Sequence, residues 1–145
     1  MTFIFKQPKT SPGLLLWQLT NAWQRKQRQA LSKLHLTHPQ FVVLACLLWL
    51  TTNSKEEITQ NQISTIASLD KMMVSDLVKT LIQKKLILRA SHKTDSRAYC
   101  LNLTQKGRTL IEKALPIVEG IDIEFFSKNT VNLIQFHNIL KKLLK

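Results

Sequence analysis

The sequence predicts a mainly α protein carrying one small β-hairpin, an α+β arrangement, on three observations. The stretch LDKMMVSDLVKTLIQKK places Val74, Leu77, Val78, Leu81 and Ile82 at i, i+3, i+4, i+7 and i+8, the apolar stripe of a helix lying on a core. After Lys85 the period changes. Leu86, Leu88 and Ala90 alternate with Ile87, Arg89 and Ser91, the polar run 92–97 turns the chain, and Tyr99, Leu101 and Leu103 alternate on the return. On both sides of this stretch apolar residues recur at helical spacing.

Taken in order, residues 1–10 read as an arm with apolar Phe3, Ile4 and Phe5. A helix begins near Ser11 or Pro12, because serine caps and proline is tolerated in a first turn, and runs to about residue 35. Its apolar face is too wide for one neighbour and suggests packing against a second chain. A second helix starts around Leu36 to Gln40, and residues 41–50 are apolar nearly all round, as expected of a buried central helix containing Trp49. Residues 51–59 form a polar loop. A short helix capped by Thr59 follows, with Ile63, Ile66, Ala67 and Leu69 expected inward. Asp70 is the expected cap of the 71–85 helix. Beyond the hairpin, Thr104 caps a helix with Leu110, Ile111, Ala114, Leu115 and Val118 at helical spacing, Gly107 leaves room for a close neighbour, and Pro116 should kink it. The last segment, from about residue 129, puts Leu133, Phe136, Leu140 and Leu143 on one stripe.

Composition bounds the function. The chain has 145 residues, a size typical of one domain, and a formal charge of +12, which makes a polyanion the leading kind of partner. Residues 1–36 hold no acid, and between Lys84 and Lys113 the acids are Asp95 and Glu112. Cys46 and Cys100 are too few for a disulfide scaffold, and no Cys/His cluster has zinc-ligand spacing, so a cytoplasmic setting, no metal and no cofactor are expected. The longest apolar run is about half of what spans a bilayer, so no membrane partner is expected. Four scattered histidines, without nucleophile-elbow glycines or paired carboxylates, give no reason to expect an enzyme.

From residue 60 onward the sequence resembles the winged helix-turn-helix of the MarR family of bacterial transcription regulators. The residues that carry the resemblance are Asp95 two before Arg97, then a strand ending in Leu103, Thr104 and Gly107, with Thr37 and Gln40 at the start of the second helix. The resemblance covers the chain from about Pro12. It implies a single domain, residues 1–145, in which about 12–35 and 104–145 are dimerisation helices and about 38–103 form the DNA-binding region. It further implies a homodimer on a pseudo-palindromic double-stranded operator, acting as a repressor or an activator, with the 70s helix in the major groove and the hairpin tip in the adjacent minor groove.

Candidate recognition-helix residues are Lys71, Met72, Met73, Ser75, Asp76 and Lys79, and candidate wing residues are Arg89, Lys93, Asp95 and Arg97. A protruding arginine suits the negative potential of a narrow minor groove, and Asp95 is placed to orient its guanidinium. His38 and Gln40, at a helix N-terminus, and Thr59, Gln60 and Gln62, on the helix that crosses the backbone, are candidate phosphate contacts. Many relatives bind small aromatic or lipophilic effectors in a crevice; here Trp17, Trp23 and Trp49 would border it. Two departures stand out. Relatives carry glycine where this chain has Lys85 and commonly a basic residue at Asp76. The alternatives are a basic protein binding nucleic acid or membrane without sequence choice, and a redox-sensing regulator using Cys100, which the alternation places as exposed beside inward Tyr99 and Leu101.

Overall fold

The computed structural model describes residues 4, 5, 7–91, 93, 94, 99–128 and 131–145. A short 3₁₀ turn at Pro8–Thr10 precedes α1 (Pro12–Ser32), α2 (His38–Asn53), α3 (Gln60–Ala67), α4 (Lys71–Gln83), β1 (Ile87–Ser91), β2 (Tyr99–Leu103), α5 (Gln105–Phe126) and α6 (Leu133–Leu143). The α+β fold class expected from the sequence is the one observed. The chain divides into two compact units, Leu31–Pro116 and the pair Met1–Ala30 with Ile117–Lys145.

In the Leu31–Pro116 unit, the helix starts are fixed by side chains that satisfy otherwise orphaned amides. Thr37 accepts from the Gln40 amide at 3.3 Å while Gln40 Oε1 accepts from the Thr37 amide at 3.2 Å, a reciprocal capping box at the start of α2. Thr59 and Gln62 repeat the device on α3. Asp70 Oδ1 accepts from the amides of Met72 and Met73 at 2.8 and 3.0 Å. Thr104 Oγ1 accepts from the Gly107 amide at 2.9 Å.

Three helix ends share another device. His35, Ser68 and Lys85 have φ of 54°, 50° and 61°, and each is followed by an amide that reaches back to a carbonyl five residues earlier, Leu36 to Leu31, Leu69 to Ser64 and Leu86 to Leu81. This left-handed closure favours glycine, and here none of the three is glycine. The first helix, expected to reach about residue 35, accordingly closes at Ser32 with a final turn through His35.

The core of this unit is Val43, Leu44 and Leu47 of α2, Ile63 of α3, Val74, Val78 and Leu81 of α4, with Leu86, Ile87, Leu101 and Ile111. The three α4 residues belong to the period-3.6 stripe, whose other two members, Leu77 and Ile82, are half-buried. Helix α2 packs on α3, α4 and β2, and β1 lies beside α4. The antiparallel register pairs Ile87 with Leu103, Arg89 with Leu101 and Ser91 with Tyr99. The Leu101 amide also donates to the Ile58 carbonyl at 2.7 Å, tying the α2–α3 loop to the free edge of β2. At the base of the hairpin the Leu86 carbonyl accepts from the Thr104 amide at 3.0 Å, and a Cβ added at residue 107 would overlap that same oxygen. Gly107 is therefore demanded by a close backbone approach, as its place in the sequence suggests.

Several expectations are corrected. Cys100 is buried, 4% exposed, because β2 is flanked by β1 on one edge and Ile58 on the other with α2 and α3 packed on it. Tyr99, expected inward, lies at the outer end of the hairpin and is exposed. Ile66 is exposed because the buried side of α3 runs through Ile63 and Ser64, whose hydroxyl turns in to donate to the Leu69 carbonyl at 2.7 Å. Trp49, expected in the core, is 57% exposed, since Leu47 and Leu50 take the inward positions around it. Helix α2 extends through Asn53, so the loop begins at Ser54.

In the other unit, Trp23 Nε1 and Gln27 Nε2 of α1 both donate to Asp122 Oδ1 of α5 at 2.7 Å. Gln27 is wholly buried. Phe126 of α5 lies 5.1 Å from Phe136 of α6 between ring centroids. Lys26 donates to Glu124 at 3.0 Å; that hydrogen bond, with the charges of Lys26 and Lys128, holds the Glu124 carboxyl below its ordinary value. Helix α6 has no buried residue. Pro116 falls inside the single helical span of α5, which continues through it.

Candidate nucleic-acid interface

Four parts of the Leu31–Pro116 unit present the candidate DNA-binding residues: the starts of α2 and α3, helix α4 and the hairpin. Helix α4 buries Val74, Val78 and Leu81, which turns its opposite side outward. That side shows Lys71, Met72, Met73, Asp76 and Lys79 exposed and Ser75 half-buried, so the six expected residues share one accessible helix surface. Asp70 is spent on capping and offers nothing further to a ligand through Oδ1. Lys79 Nζ lies 3.5 Å from Asp76 Oδ1, with both side chains about two-thirds exposed. An ion pair of that kind contributes at most about 1 kcal/mol, so either partner is readily released to a base or phosphate.

The α3–α4 connection fixes how α4 is offered. Ser68 turns the chain in the left-handed region, Ser64 Oγ holds the Leu69 carbonyl, and Asp70 starts the next helix at once. Two helices joined by so short a turn, the second outward-facing, form a helix-turn-helix. The far end of α4 is fixed by Lys84, which no local sequence pattern singles out. Its Nζ donates to the His35 carbonyl at 2.8 Å and to Gln40 Oε1 at 2.9 Å.

Gln40 is a correction among the phosphate candidates. It is buried, and its oxygen is held by the Thr37 amide and by Lys84, which removes it from any surface that meets a phosphate. His38 is half-buried and stacks on Phe41, with centroids 6.4 Å apart and planes at 19°. Thr59 and Gln62 are half-buried and occupied in capping α3; Gln60 is half-buried, and its Nε2 has no hydrogen-bond partner among the described residues.

On the hairpin, the Arg89 guanidinium sits 4.4 Å from the centre of the Tyr99 ring, a cation–π contact that holds the arginine along the strand. Lys93 is exposed, and its amide donates to Glu57 Oε2 at 2.9 Å. Asp95 and Arg97 lie outside the described residues. The tryptophans are not gathered in one unit: Trp17, exposed, and Trp23, bonded to Asp122, belong to one, and Trp49 to the other. Burial pushes the Cys46 thiol above its ordinary pKa.

Residues 30–120 match the ArnR1-like winged-helix domain. The uncharacterized HTH-type transcriptional regulator YdcH of Bacillus subtilis (strain 168) is 43% identical over 123 residues, spanning 85% of this chain and 83% of YdcH. A single-site mutant of MarR from E. coli, solved in complex with operator DNA, superposes with a TM-score of 0.83 at 22% identity, covering 99% of this chain and 100% of that one. The chain belongs to the MarR family of winged helix-turn-helix transcriptional regulators. BpsR of Bordetella bronchiseptica, whose DNA binding is regulated by 6-hydroxynicotinic acid, gives a TM-score of 0.85 at 23% identity, covering 100% of this chain and 99% of BpsR. At these identities the two solved structures speak for the fold alone. Within that fold this MarR-family chain has the Thr104 cap and the close backbone approach at Gly107, and it places Lys85 in the left-handed position at the end of α4.

Proposed function

We propose that this regulator is a homodimeric repressor of a pseudo-palindromic operator, in which α4 enters the major groove and the hairpin tip the adjacent minor groove. The observation that carries the proposal is the outward side of α4. Lysines at positions 71 and 79 flank Met72, Met73, Ser75 and Asp76, the last held only by its weak pair with Lys79, on a helix capped and anchored at both ends. In this reading Lys71 and Lys79 neutralise phosphates, Ser75 and Asp76 face base edges, and Asp76 accepts from a cytosine amino group. Arg89, Lys93 and Arg97 serve the wing, with Asp95 orienting Arg97. His38, Thr59, Gln60 and Gln62 line the backbone side.

Residues 12–35 and 104–145 supply the dimer contacts, and residues 38–103 the DNA-binding region. The exposed Leu15 and Leu16 of α1 and Ile134, Ile139, Leu143 and Leu144 of α6 support this division, since a second copy covering them would remove apolar surface from water. A small aromatic or lipophilic effector releases the operator, a part of the proposal supported by the effector of BpsR; quenching of the exposed Trp17 and Trp49 would report its binding.

The test is a titration of the purified protein against the DNA just upstream of its own coding sequence, beside a scrambled duplex, at two salt concentrations. A preference of about a thousandfold or more supports specific operator binding. Equal, steeply salt-sensitive binding to both duplexes supports a polyanion-binding surface without sequence choice.

A further inference from the structure

The first turn of a helix-turn-helix recognition helix is the part that reaches base edges. In this chain that turn presents two methionines, Met72 at 75% exposure and Met73 at 45%. Neither fills a core position, since the buried side of α4 is made by Val74, Val78 and Leu81. They border an open depression of about 400 Å³ completed by Asp70, Asp76, Leu77 and Thr80. Asp70 Oδ1 is taken by two backbone amides, and Ser75 is half-buried, so the most exposed groups facing a base at this end are two flexible thioethers and the Asp76 carboxylate.

A methionine side chain has no donor with which to satisfy the acceptors of guanine or adenine, and covering such an acceptor without a partner is costly. The one apolar feature on the floor of the major groove is the C5-methyl group of thymine. We infer that Met72 and Met73 read thymine methyl groups in each operator half-site, an inference that rests on the operator-binding reading above. The lysines at 71 and 79 bring the helix to the phosphates; the methionines select among sequences once it is there.

The experiment uses the full chain. Duplexes are selected from a random pool by the purified protein, and the tightest is resynthesised with deoxyuridine in place of thymine, one symmetric pair at a time, which deletes only the methyl. At one or two positions per half-site the substitution should weaken binding roughly fourfold for each methyl removed. At those positions Met72→Ala or Met73→Ala protein should bind thymine and uracil duplexes alike, with thermal melting unchanged because both side chains are exposed. If the selected duplex binds tightly yet uracil is tolerated everywhere, or if discrimination survives in both alanine variants, the methionines do not read methyls, while operator binding stands. If no duplex is enriched above the pool, operator binding itself is overturned, and this inference with it.

Discussion

Lys84 Nζ lies 2.8 Å from the carbonyl oxygen of His35, and so joins the end of the outward-facing helix to the corner between α1 and α2. The same ammonium reaches Gln40 Oε1, whose other contact caps α2. One side chain therefore sets where α4 ends relative to the helix beneath it.

Replacing Lys84 by methionine should lower stability by about 1–2 kcal/mol, because a backbone carbonyl and the buried Gln40 amide oxygen are deprived of a charged donor. DNA affinity should fall, while the slope of log K against log salt stays as in the native protein, since this ammonium is turned towards the chain. Salt titrations of both proteins decide it; a slope reduced by about 0.9 would mean that Lys84 neutralises a phosphate instead.

Lys71→Ala and Lys79→Ala should each do the opposite, leaving thermal melting unchanged and reducing the salt slope by roughly 0.9 for each phosphate no longer neutralised. Both lysines are exposed, and the Asp76 pair that Lys79 gives up is weak. Arg97→Ala should weaken DNA binding without changing the oligomeric state, as measured by sedimentation beside the titration. Unchanged affinity would deny the wing a part in binding.

The base of the hairpin offers a paired stability test. Gly107→Ala should destabilise by about 1–3 kcal/mol or more, because the added methyl overlaps the Leu86 carbonyl, which is itself bonded to the Thr104 amide. Lys85→Gly should stabilise by up to about 1 kcal/mol by relieving a left-handed lysine at φ 61°. Urea melts read both, and a sign reversal at either position would contradict the geometry.

Maleimide labelling of the native protein should modify half-buried Cys46 slowly and Cys100 more slowly still, with both reacting fully on unfolding. Burial raises the Cys46 pKa, so its labelling rate should keep climbing above the pH at which an ordinary thiol levels off. The folded state holds that proton more tightly than the unfolded state. The associated stabilisation is whole below the unfolded-state thiol pKa and is lost as pH rises through the raised folded value. Fast labelling of Cys100 would restore a redox role that its burial argues against.

What is legible in the sequence is what neighbouring residues decide together. Asp70, Thr59, and Thr104 with Gly107 are caps and approaches written within a few residues, and each is found in place. The stripe of Val74, Val78 and Leu81 needs only its own period. The failures have distant partners. Alternation misplaces Cys100 because it assumes a strand covered on one side, whereas Ile58 borders β2 from more than forty residues away. Lys84 with His35, Gln40 with Lys84, and Asp122 with Trp23 and Gln27 are likewise pairs that no local pattern announces. The outward side of α4 can be read from the sequence, but the exposure of Met72 and Met73 that gives it a chemical preference needs the structure.

The most direct measurement of the central claim is a hydroxyl-radical footprint of the protein on its tightest selected duplex. Two α4 helices of one dimer should give two protected patches related by a two-fold axis and centred roughly 34–36 Å apart, one helical turn, with flanking protection in the minor groove from the wings. A single protected half-site, or faint protection spread evenly along the duplex, would contradict a dimer reading two half-sites.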